Sequence, residues 1–347
     1  MAAARIVAVA PYGSASASTR ERIDRWLFRA GISTVRHYYL GAADARPRTL
    51  LSRPMRTLVA ECRLRAVRAS MRDTVLLLHR EATPLSRGGV EAQLFRRAAR
   101  RVYDLDDALY WDTQGSGLRR WFRAPEKYRR IAAAADTVVA GNPVIADWAS
   151  RYCQSVQVVP TCVDPNEYEK KAEYRLGDPP VIGWIGTPSG IPYLEAVAGG
   201  LKALNRATGA RLEIISSVSQ LPPALASFSS VVPWSVPVAR ERLAAWDVGV
   251  MPLSDDPFQR GKCAYKLLQY CASGLPAVAS PVGANVEILA RIGAMAPRDV
   301  SEWANALLAL LSMSADARRE LGMRARRVAD DYSFDRWHST WMRAVLR

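Results

Sequence analysis

The sequence predicts an α/β protein built from two doubly wound, Rossmann-like domains. The chain has 347 residues, of which 49% are hydrophobic, and this length suits two domains of about 150 residues each. Short apolar segments alternate with longer amphipathic segments through residues 5–159, and the alternation restarts at residue 181. Such alternation is typical of parallel sheets that carry helices on both faces.

Each predicted strand is a short apolar run, and each predicted helix is an amphipathic segment between two such runs. In the first half, strands are predicted at residues 5–10, 34–39, 74–79, 101–104, 137–140 and 156–159, with helices at 19–30, 56–70, 90–100, 128–135 and 143–152. In the second half, strands are predicted at 181–185, 212–215, 248–251 and 277–280, with helices at 193–208, 236–246, 263–272, 301–312 and 315–329.

The domain boundaries follow from composition. Residues 160–177 are polar, charged and proline-containing, which indicates a linker. We predict a first domain over residues 1–163, a linker over 164–178, a second domain over 179–330 and a final aromatic amphipathic helix over 331–347. No apolar run approaches the roughly 20 residues that a membrane span needs. The five scattered cysteines offer neither a disulfide framework nor a zinc spacing, so we expect a cytoplasmic protein.

The positive charge is concentrated in the first half. Residues 1–165 carry 27 Lys and Arg against 15 Asp and Glu, whereas residues 166–347 carry 21 against 18. Three interpretations stay open: solvated arginine-rich helix faces, nucleic acid, and peripheral docking at the anionic inner face of a membrane. Docking would combine the arginines with apolar side chains such as Leu50, Leu51, Leu58 and Val59. No nucleic-acid-binding motif accompanies the charge, so we expect no nucleic-acid partner.

Two segments of the second half suggest a phosphate site. Lys262 and Lys266 are spaced i, i+4 at the start of a predicted helix that ends at Gly274. Ammonium groups and backbone N–H groups at a helix start favour an anion such as phosphate. Residues 183–189 (GWIGTPS) follow a strand and precede a helix, so their glycines and hydroxyls form a candidate phosphate-binding loop or an ordinary tight turn.

The second half resembles the GT-B glycosyltransferases, and within them the retaining family 4. The matching segments are residues 181–189, 246–253, 262–270, 274–276 and the terminal YSFD of 332–335, with 79–81 and 103–108 as the best matches in the first half. The resemblance implies two Rossmann-like domains that face each other across a cleft, with the last helix crossing back to the first domain.

The resemblance also implies a function. The second domain would hold a nucleotide-diphosphate sugar and the first an acceptor, which could be a small molecule, a lipid-linked precursor or a glycan. The enzyme would transfer the sugar to a hydroxyl or amine with retention of configuration, without a metal and with no cofactor beyond the donor. The alternatives are another enzyme on this architecture, such as an epimerase, or a degenerate protein that binds a nucleotide sugar or glycan without transfer.

We expect three groups of site residues from the motifs and the resemblance. The catalytic candidates are His79, Arg80, Glu81, Lys262 and Lys266, and the acceptor candidates are Asp106 and Asp107. The donor-binding candidates are Gly13, Ser14, Gly186, Thr187, Ser189, Ser216, Trp234, Asp255, Arg260, Lys262, Lys266 and Gln269.

The sequence departs from the family pattern at two places. The family's two glutamates, eight positions apart, would fall on Gly261 and Gln269, and its Arg…Lys pair is replaced by Thr187-Pro188-Ser189. Gln269 retains the capacity to hydrogen-bond ribose hydroxyls. These departures are the main support for the non-catalytic alternative.

Overall fold

The computed structural model describes residues 5–41, 50, 52–69, 71, 73–111 and 125–347, without the side chains of residues 68 and 69. The chain divides into two compact units. The first comprises Met1–Cys162, Arg260–Cys263 and Trp337–Arg347, and the second comprises Val163–Gln259 and Ala264–Arg336. The chain thus enters the first unit three times.

The first unit contains a six-stranded parallel sheet in the order β2-β1-β3-β4-β5-β6. Several of its inner strands are nearly continuous apolar runs because helices cover both faces of a parallel sheet, and the strand Thr74–His79 is buried along its whole length. The strands are β1 (Arg5–Ala10), β2 (Thr34–Tyr38), β3 (Thr74–His79), β4 (Arg100–Leu105), β5 (Thr137–Ala140) and β6 (Val156–Val158).

The helices of the first unit lie between these strands. Helix α1 has three parts, Ala17–Thr19, the π-helical turn Arg20–Asp24 and Arg25–Ala30. The others are α2 (Pro54–Ala69), α3 (Gly89–Phe95), α4 (Pro125–Ala134) and α5 (Pro143–Ser150).

The last residues of the chain pack within the first unit. The buried indole of Trp341 stacks on that of Trp26, with ring centroids 5.3 Å apart. The Arg100 guanidinium donates to the carbonyls of Ala344 and Val345, both at 2.9 Å. A cation thereby satisfies the C-terminal carbonyls of the final helix, which have no partner within the helix.

The second unit contains a five-stranded parallel sheet in the order β11-β10-β7-β8-β9. Its strands are β7 (Val181–Ile185), β8 (Arg211–Ser216), β9 (Ser229–Pro233), β10 (Val248–Met251) and β11 (Ala277–Ala279). Its helices are α6 (Ile191–Ala196), α7 (Ala198–Thr208), α8 (Pro223–Ala226), α9 (Val236–Glu241), α10 (Pro257–Arg260), α11 (Tyr265–Ser273), α12 (Asn285–Ile292), α13 (Trp303–Ser312), α14 (Ala315–Asp331) and α15 (Phe334–Leu346). Arg260 at the end of α10 and most of α15, from Trp337 onward, belong to the first unit.

Buried aromatic side chains fix α11 against the sheet of the second unit. The Tyr270 hydroxyl donates to the Val250 carbonyl at 3.0 Å and accepts from the Ile185 amide at 3.3 Å. A Cβ atom on Gly249 would lie 2.8 Å from the Tyr270 ring, so glycine is required where this ring crosses β10. Tyr270 thereby holds α11 against β7 and β10.

Candidate functional site

The charged side chains of the first unit converge where β3 and β4 end. His79 is the last residue of β3 and pairs in register with Asp104 of β4. Asp106 and Asp107 follow β4 directly. The carboxyl ends of parallel strands are where open α/β sheets bind ligands. The structure therefore brings together His79, Arg80, Asp106 and Asp107, four of the residues that the sequence proposed.

A hydrogen-bonded chain runs through His79, whose side chain is fully buried. Its Nδ1 lies 2.7 Å from Asp104 Oδ2, and its Nε2 lies 2.7 Å from Ser18 Oγ. The Ser18 hydroxyl donates to Asp106 Oδ2 at 2.6 Å. Ser18 is half-buried, so it connects the buried His79 imidazole to the surface of the unit.

The arrangement looks like a Ser-His-Asp triad but cannot work as one. A triad serine gives its proton to histidine, whereas Ser18 gives its proton to Asp106. Burial acts to raise the pKa of Asp106, but the charges of Arg80 and His79 and the bonds from Arg80 and Ser18 outweigh it and hold that pKa below its usual range. Asp106 is thus an ionised acceptor. The Ser18 hydroxyl proton is therefore directed at Asp106 and not at His79.

Arg22 neutralises Asp104. Its Nη2 and Nε lie 2.5 and 3.2 Å from the two carboxylate oxygens of Asp104, and its Nη1 donates to the Val159 carbonyl at 2.6 Å. Burial acts to lower the pKa of Arg22, but the Asp104 charge outweighs it and raises that pKa. A buried charge needs such a partner because desolvation costs several kcal/mol.

Arg80 forms hydrogen bonds with both carboxylates of the predicted acceptor site, Asp106 and Asp107. Its Nε and Nη2 lie 2.6 and 2.9 Å from the two oxygens of Asp106, and its Nη2 lies 2.5 Å from Asp107 Oδ2. The Arg80 backbone is left-handed, with φ of 59°, a conformation that costs a non-glycine residue about 1–3 kcal/mol. The two carboxylates hold the strained residue in place.

The cluster pairs basic side chains with carboxylates. Arg22 and Arg80 face Asp104, Asp106 and Asp107. Lys262 Nζ adds a third basic group 3.9 Å from Asp107 Oδ1.

Glu81 points away from this cluster. Its buried carboxylate lies 2.6 Å from Lys127 Nζ, which also donates to the Thr83 carbonyl at 2.7 Å and lies 3.6 Å from Glu91. The Glu81 carboxylate is thus occupied by a buried ion pair.

The segment 260–263 packs inside the first unit. The Asn142 amide donates to the Gly261 carbonyl at 2.7 Å, and the Cys263 thiol donates to the Asp106 carbonyl at 2.9 Å. A Cβ atom on Gly261 would lie 2.2 Å from the Ala108 Cβ. This contact gives a steric reason for glycine at the position where the family has a glutamate. Burial raises the pKa of the Cys263 thiol to about 12, so it remains neutral.

The loop after β1 holds two further donor candidates. Gly13 is buried, and a Cβ atom on it would lie 2.6 Å from the Gly41 carbonyl oxygen, so glycine is needed for packing. Ser14 is exposed on the same loop.

In the second unit, Lys266 lies against the loop that follows β7. Its Nζ lies 5.6 Å from the centroid of the buried Trp184 ring. A Cβ atom on Gly186 would lie 2.6 Å from that ring and 2.7 Å from Lys266 Cε. The hydroxyls of Thr187 and Ser189 lie 2.9 Å apart on this loop. The structure thus brings together four of the proposed donor residues, and Trp184 fixes the cation among them.

The other donor candidates of the second unit are spread along the chain. Gln269 is buried, with its amide 3.2 Å from the Tyr168 hydroxyl. Ser216 ends β8, and its carbonyl accepts from the Trp234 amide at 3.2 Å. Asp255 is exposed, and Arg260 is exposed within the first unit.

Three residues of the first-unit cluster were not singled out as site residues from the sequence: Ser18, Arg22 and Asp104. Ser18 and Arg22 lie on α1, more than 60 positions from their partners, with separations of 61 for Ser18–His79 and 82 for Arg22–Asp104. The one local signal was Arg22 itself, because it interrupts the apolar face formed by Ile23, Trp26 and Leu27.

The comparisons with known proteins agree with this architecture. Residues 179–313 match the sequence model of the family described as glycosyl transferases group 1. A sucrose-phosphate synthase from Thermosynechococcus elongatus superposes with a TM-score of 0.72 at 14% identity, covering 98% of each chain. HepE from Anabaena, in complex with UDP and glucose, gives a TM-score of 0.71 at 13% identity, also covering 98% of each chain. The chain has the GT-B glycosyltransferase fold.

The predicted fold class and the resemblance to GT-B glycosyltransferases are therefore confirmed. A trehalose-phosphate synthase (UDP-forming) from Burkholderia vietnamiensis is also similar, with a TM-score of 0.68 at 12% identity over 99% of this chain and 98% of that one. A comparison with curated proteins finds no match.

Two features are absent from the residues that the structure describes. No group of three or more His, Cys, Asp or Glu side chains within them is arranged to hold a metal ion. No helix among them is both long and apolar enough to cross a bilayer.

Proposed function

We propose that this GT-B glycosyltransferase moves a sugar from a UDP-sugar to an acceptor hydroxyl or amine with retention of configuration. The observation that carries the proposal is Lys266, stacked on Trp184 beside the loop of Gly186, Thr187 and Ser189. This constellation lies inside the segment that matches glycosyl transferases group 1. UDP is the proposed nucleotide because Anabaena HepE is described in complex with UDP and glucose.

The second unit would bind the donor diphosphate. The Lys266 ammonium supplies a positive charge, and the Thr187 and Ser189 hydroxyls supply donors on the same loop. A cation held in place before the reaction stabilises the charge that develops on a leaving diphosphate without having to reorganise. The Lys266 cation is why we propose a reaction that needs no metal.

The first unit would bind the acceptor. Asp107 is half-buried and Asp106 is buried next to it, and a carboxylate has about four lone-pair sites, more than their bonds to Arg80 and Ser18 use. Acceptor hydroxyls or amines would donate to them, while Arg80 and His79 hold them in position.

The charge pairing supports a front-face reaction. A double displacement needs a carboxylate as nucleophile. Asp104 and Asp106 are each bound by a guanidinium in two places, and Asp107 is bound by Arg80 through one oxygen, so we assign these carboxylates to binding and not to nucleophilic attack. In the proposed step the bond from the anomeric carbon to the diphosphate oxygen breaks, and the bond to the acceptor oxygen or nitrogen forms on the same face. The acceptor proton passes to the departing phosphate oxygen.

An anionic membrane face is the further partner that we propose. It is supported by the charge surplus of the first half of the chain, 27 cations against 15 anions over residues 1–165. An acceptor carried on a lipid would then be presented at the surface where the enzyme binds.

The test is nucleotide release by the purified chain with UDP, GDP, TDP and ADP sugars, in the presence of candidate acceptors. We expect UDP release that depends on the acceptor, and an NMR spectrum of the product that shows the anomeric configuration of the donor. Inverted product would refute retention. A donor sugar that raises the melting temperature without any nucleotide release would instead favour the non-catalytic alternative.

A further inference from the structure

Helix α2 of the first unit, Pro54–Ala69, has one face packed against the unit and one exposed. Ala60 and Leu64 are buried, and Thr57, Glu61 and Val67 are half-buried on the same side. These positions follow the helical spacing i, i+3, i+4, i+7. The packed side is thus an ordinary amphipathic face.

The opposite face carries a second apolar row. Met55, Leu58 and Val59 are 70%, 57% and 43% exposed, and Cys62 is exposed one turn further on. Their spacing is again i, i+3, i+4, i+7, so they form one stripe along the outside of the helix. We call these four residues the outer stripe. Large apolar side chains that cluster on a surface mark an interaction site more often than isolated ones do.

Arginines flank the outer stripe on both sides. At about 100° per residue, the exposed Arg56 and Arg63 lie on one edge of the stripe, and the exposed Arg65 lies on the other. Long cationic side chains in such positions reach from an apolar surface to the phosphates of a lipid headgroup layer.

The one acidic residue of α2 faces away from the outer stripe. The Glu61 carboxylate accepts from the Tyr39 hydroxyl at 2.8 Å and from the Thr83 hydroxyl at 2.5 Å. Glu61 is thereby occupied inside the unit. The exposed face of α2 therefore combines apolar side chains with positive charge alone.

We propose that α2 is the element by which this protein docks on an anionic bilayer, lying in the interface with its outer stripe in the acyl boundary. An apolar stripe between two cationic edges is the arrangement expected of a helix that lies in a membrane surface. The arginines select anionic lipid, each contributing about fivefold to affinity near the surface, and the stripe supplies the apolar contact. This inference deepens the membrane part of the proposed function, and it does not depend on the transfer chemistry.

Cys62 offers a direct probe, because it is exposed on the outer stripe while the other four cysteines are buried. A polarity-sensitive fluorophore attached to Cys62 should shift to shorter wavelength with vesicles of equimolar phosphatidylglycerol and phosphatidylcholine. Pure phosphatidylcholine vesicles should leave the spectrum unchanged. An unchanged spectrum with the anionic vesicles at low salt would overturn the proposal.

Vesicle sedimentation with matched variants completes the test. Arg56→Gln/Arg63→Gln should weaken binding to the anionic vesicles about 30-fold, from two arginines at about fivefold each, and Leu58→Gln/Val59→Gln should weaken it by at least about tenfold. The controls Leu308→Gln and Arg319→Gln alter exposed residues of the second unit and should bind as the wild type does. Equal binding to the anionic vesicles by all four variants, the two on α2 and the two controls, would overturn the proposal.

Two further outcomes separate the alternatives. A concentration-dependent dimer in solution that Leu58→Gln/Val59→Gln abolishes, without vesicle binding, would assign the stripe to a second copy and reject the lipid. Nucleotide release measured without vesicles should be the same in all four variants. If the wild type releases no nucleotide, that result would count against the transfer function. It would leave the docking result intact.

Discussion

The ammonium group of Lys266 lies over the indole of Trp184, 5.6 Å from the ring centroid. Trp184 is buried at the end of β7, and Lys266 lies in the first turn of α11. The contact joins the two segments that each resembled a phosphate site in the sequence. It also places a fixed cation where the family motif has lost its Arg…Lys pair.

Replacing Lys266 with alanine should lower kcat/KM for nucleotide release about 10²–10³-fold, because a preorganised charge at the leaving group is worth about 3–4 kcal/mol. Lys202→Ala alters an exposed lysine on α7 of the same unit and serves as the control. Turnover of Lys266→Ala within a few-fold of wild type would reject the phosphate role.

Gly186→Ala should displace the cation without removing it. The new Cβ would lie 2.6 Å from the Trp184 ring and 2.7 Å from Lys266 Cε, and the flexible lysine will give way before the buried ring. We expect the Kd for UDP, measured by thermal shift or calorimetry, to rise about tenfold. Gly199→Ala, where nothing lies within 4 Å of the new Cβ, should leave that Kd unchanged and stabilise α7 slightly.

A glutamate introduced at position 261, where the family that this sequence resembles has one, should not create a working donor site. Any side chain at position 261 meets Ala108, since the Cβ would lie 2.2 Å from the Ala108 Cβ. We expect Gly261→Ala to lower the free energy of unfolding by about 1–3 kcal/mol and Gly261→Glu to gain no activity, as measured by urea denaturation and nucleotide release. Gly89→Ala, where a Cβ meets open space, is the control, and higher turnover in Gly261→Glu would contradict our account.

Ser18 is a positioning residue in this scheme. Ser18→Ala removes the hydrogen-bond partner of His79 Nε2 and one donor to Asp106, and a hydrogen bond to a charged group is worth about 1.5–3 kcal/mol. We expect kcat/KM to fall about ten- to hundredfold and to recover partly in Ser18→Thr.

Nitrogen NMR distinguishes this role of Ser18 from a purely structural one. The His79 Nε2 signal should move in Ser18→Ala, because that variant removes the hydrogen-bond partner of this nitrogen. Ser150→Ala, on the exposed side of α5, should change neither ring-nitrogen signal. An Nε2 signal at the same position in Ser18→Ala and in the wild type would refute the hydrogen bond between Ser18 and His79.

The pH dependence of stability follows from Asp106. Arg80, His79 and Ser18 hold its pKa below the usual range against the effect of burial. A carboxyl with a depressed folded pKa stabilises the protein fully above its unfolded pKa of about 3.9, and this contribution is lost as the pH falls toward the folded value. Asp106→Asn should therefore lower the melting temperature by a constant amount from pH 8 to pH 5. The difference should narrow below about pH 4, and a difference that changes between pH 8 and pH 5 would contradict the assignment.

Local pattern was sufficient for most of the fold. The strands of the first sheet are apolar runs flanked by polar turns, and α11 ends at Gly274 with the left-handed backbone that the sequence predicts. The strand β9, Ser229–Pro233, was not predicted, because an edge strand that is only half-buried needs no continuous apolar run. The start of α11 also differs: the helix was predicted from residue 263 but begins at Tyr265, after Ala264 with φ of 53°.

The sequence by itself determined the α/β class, the two repeated patterns and the chemistry available at each loop, because strand periodicity, glycine caps and charge are properties of neighbouring residues. Only the tertiary structure decided which of those groups meet. It paired Ser18 with His79, sequestered Glu81 with Lys127, and packed Gly261 against Ala108. These contacts join positions far apart in the chain, and their distances depend on strand order and helix packing, which no local spacing encodes.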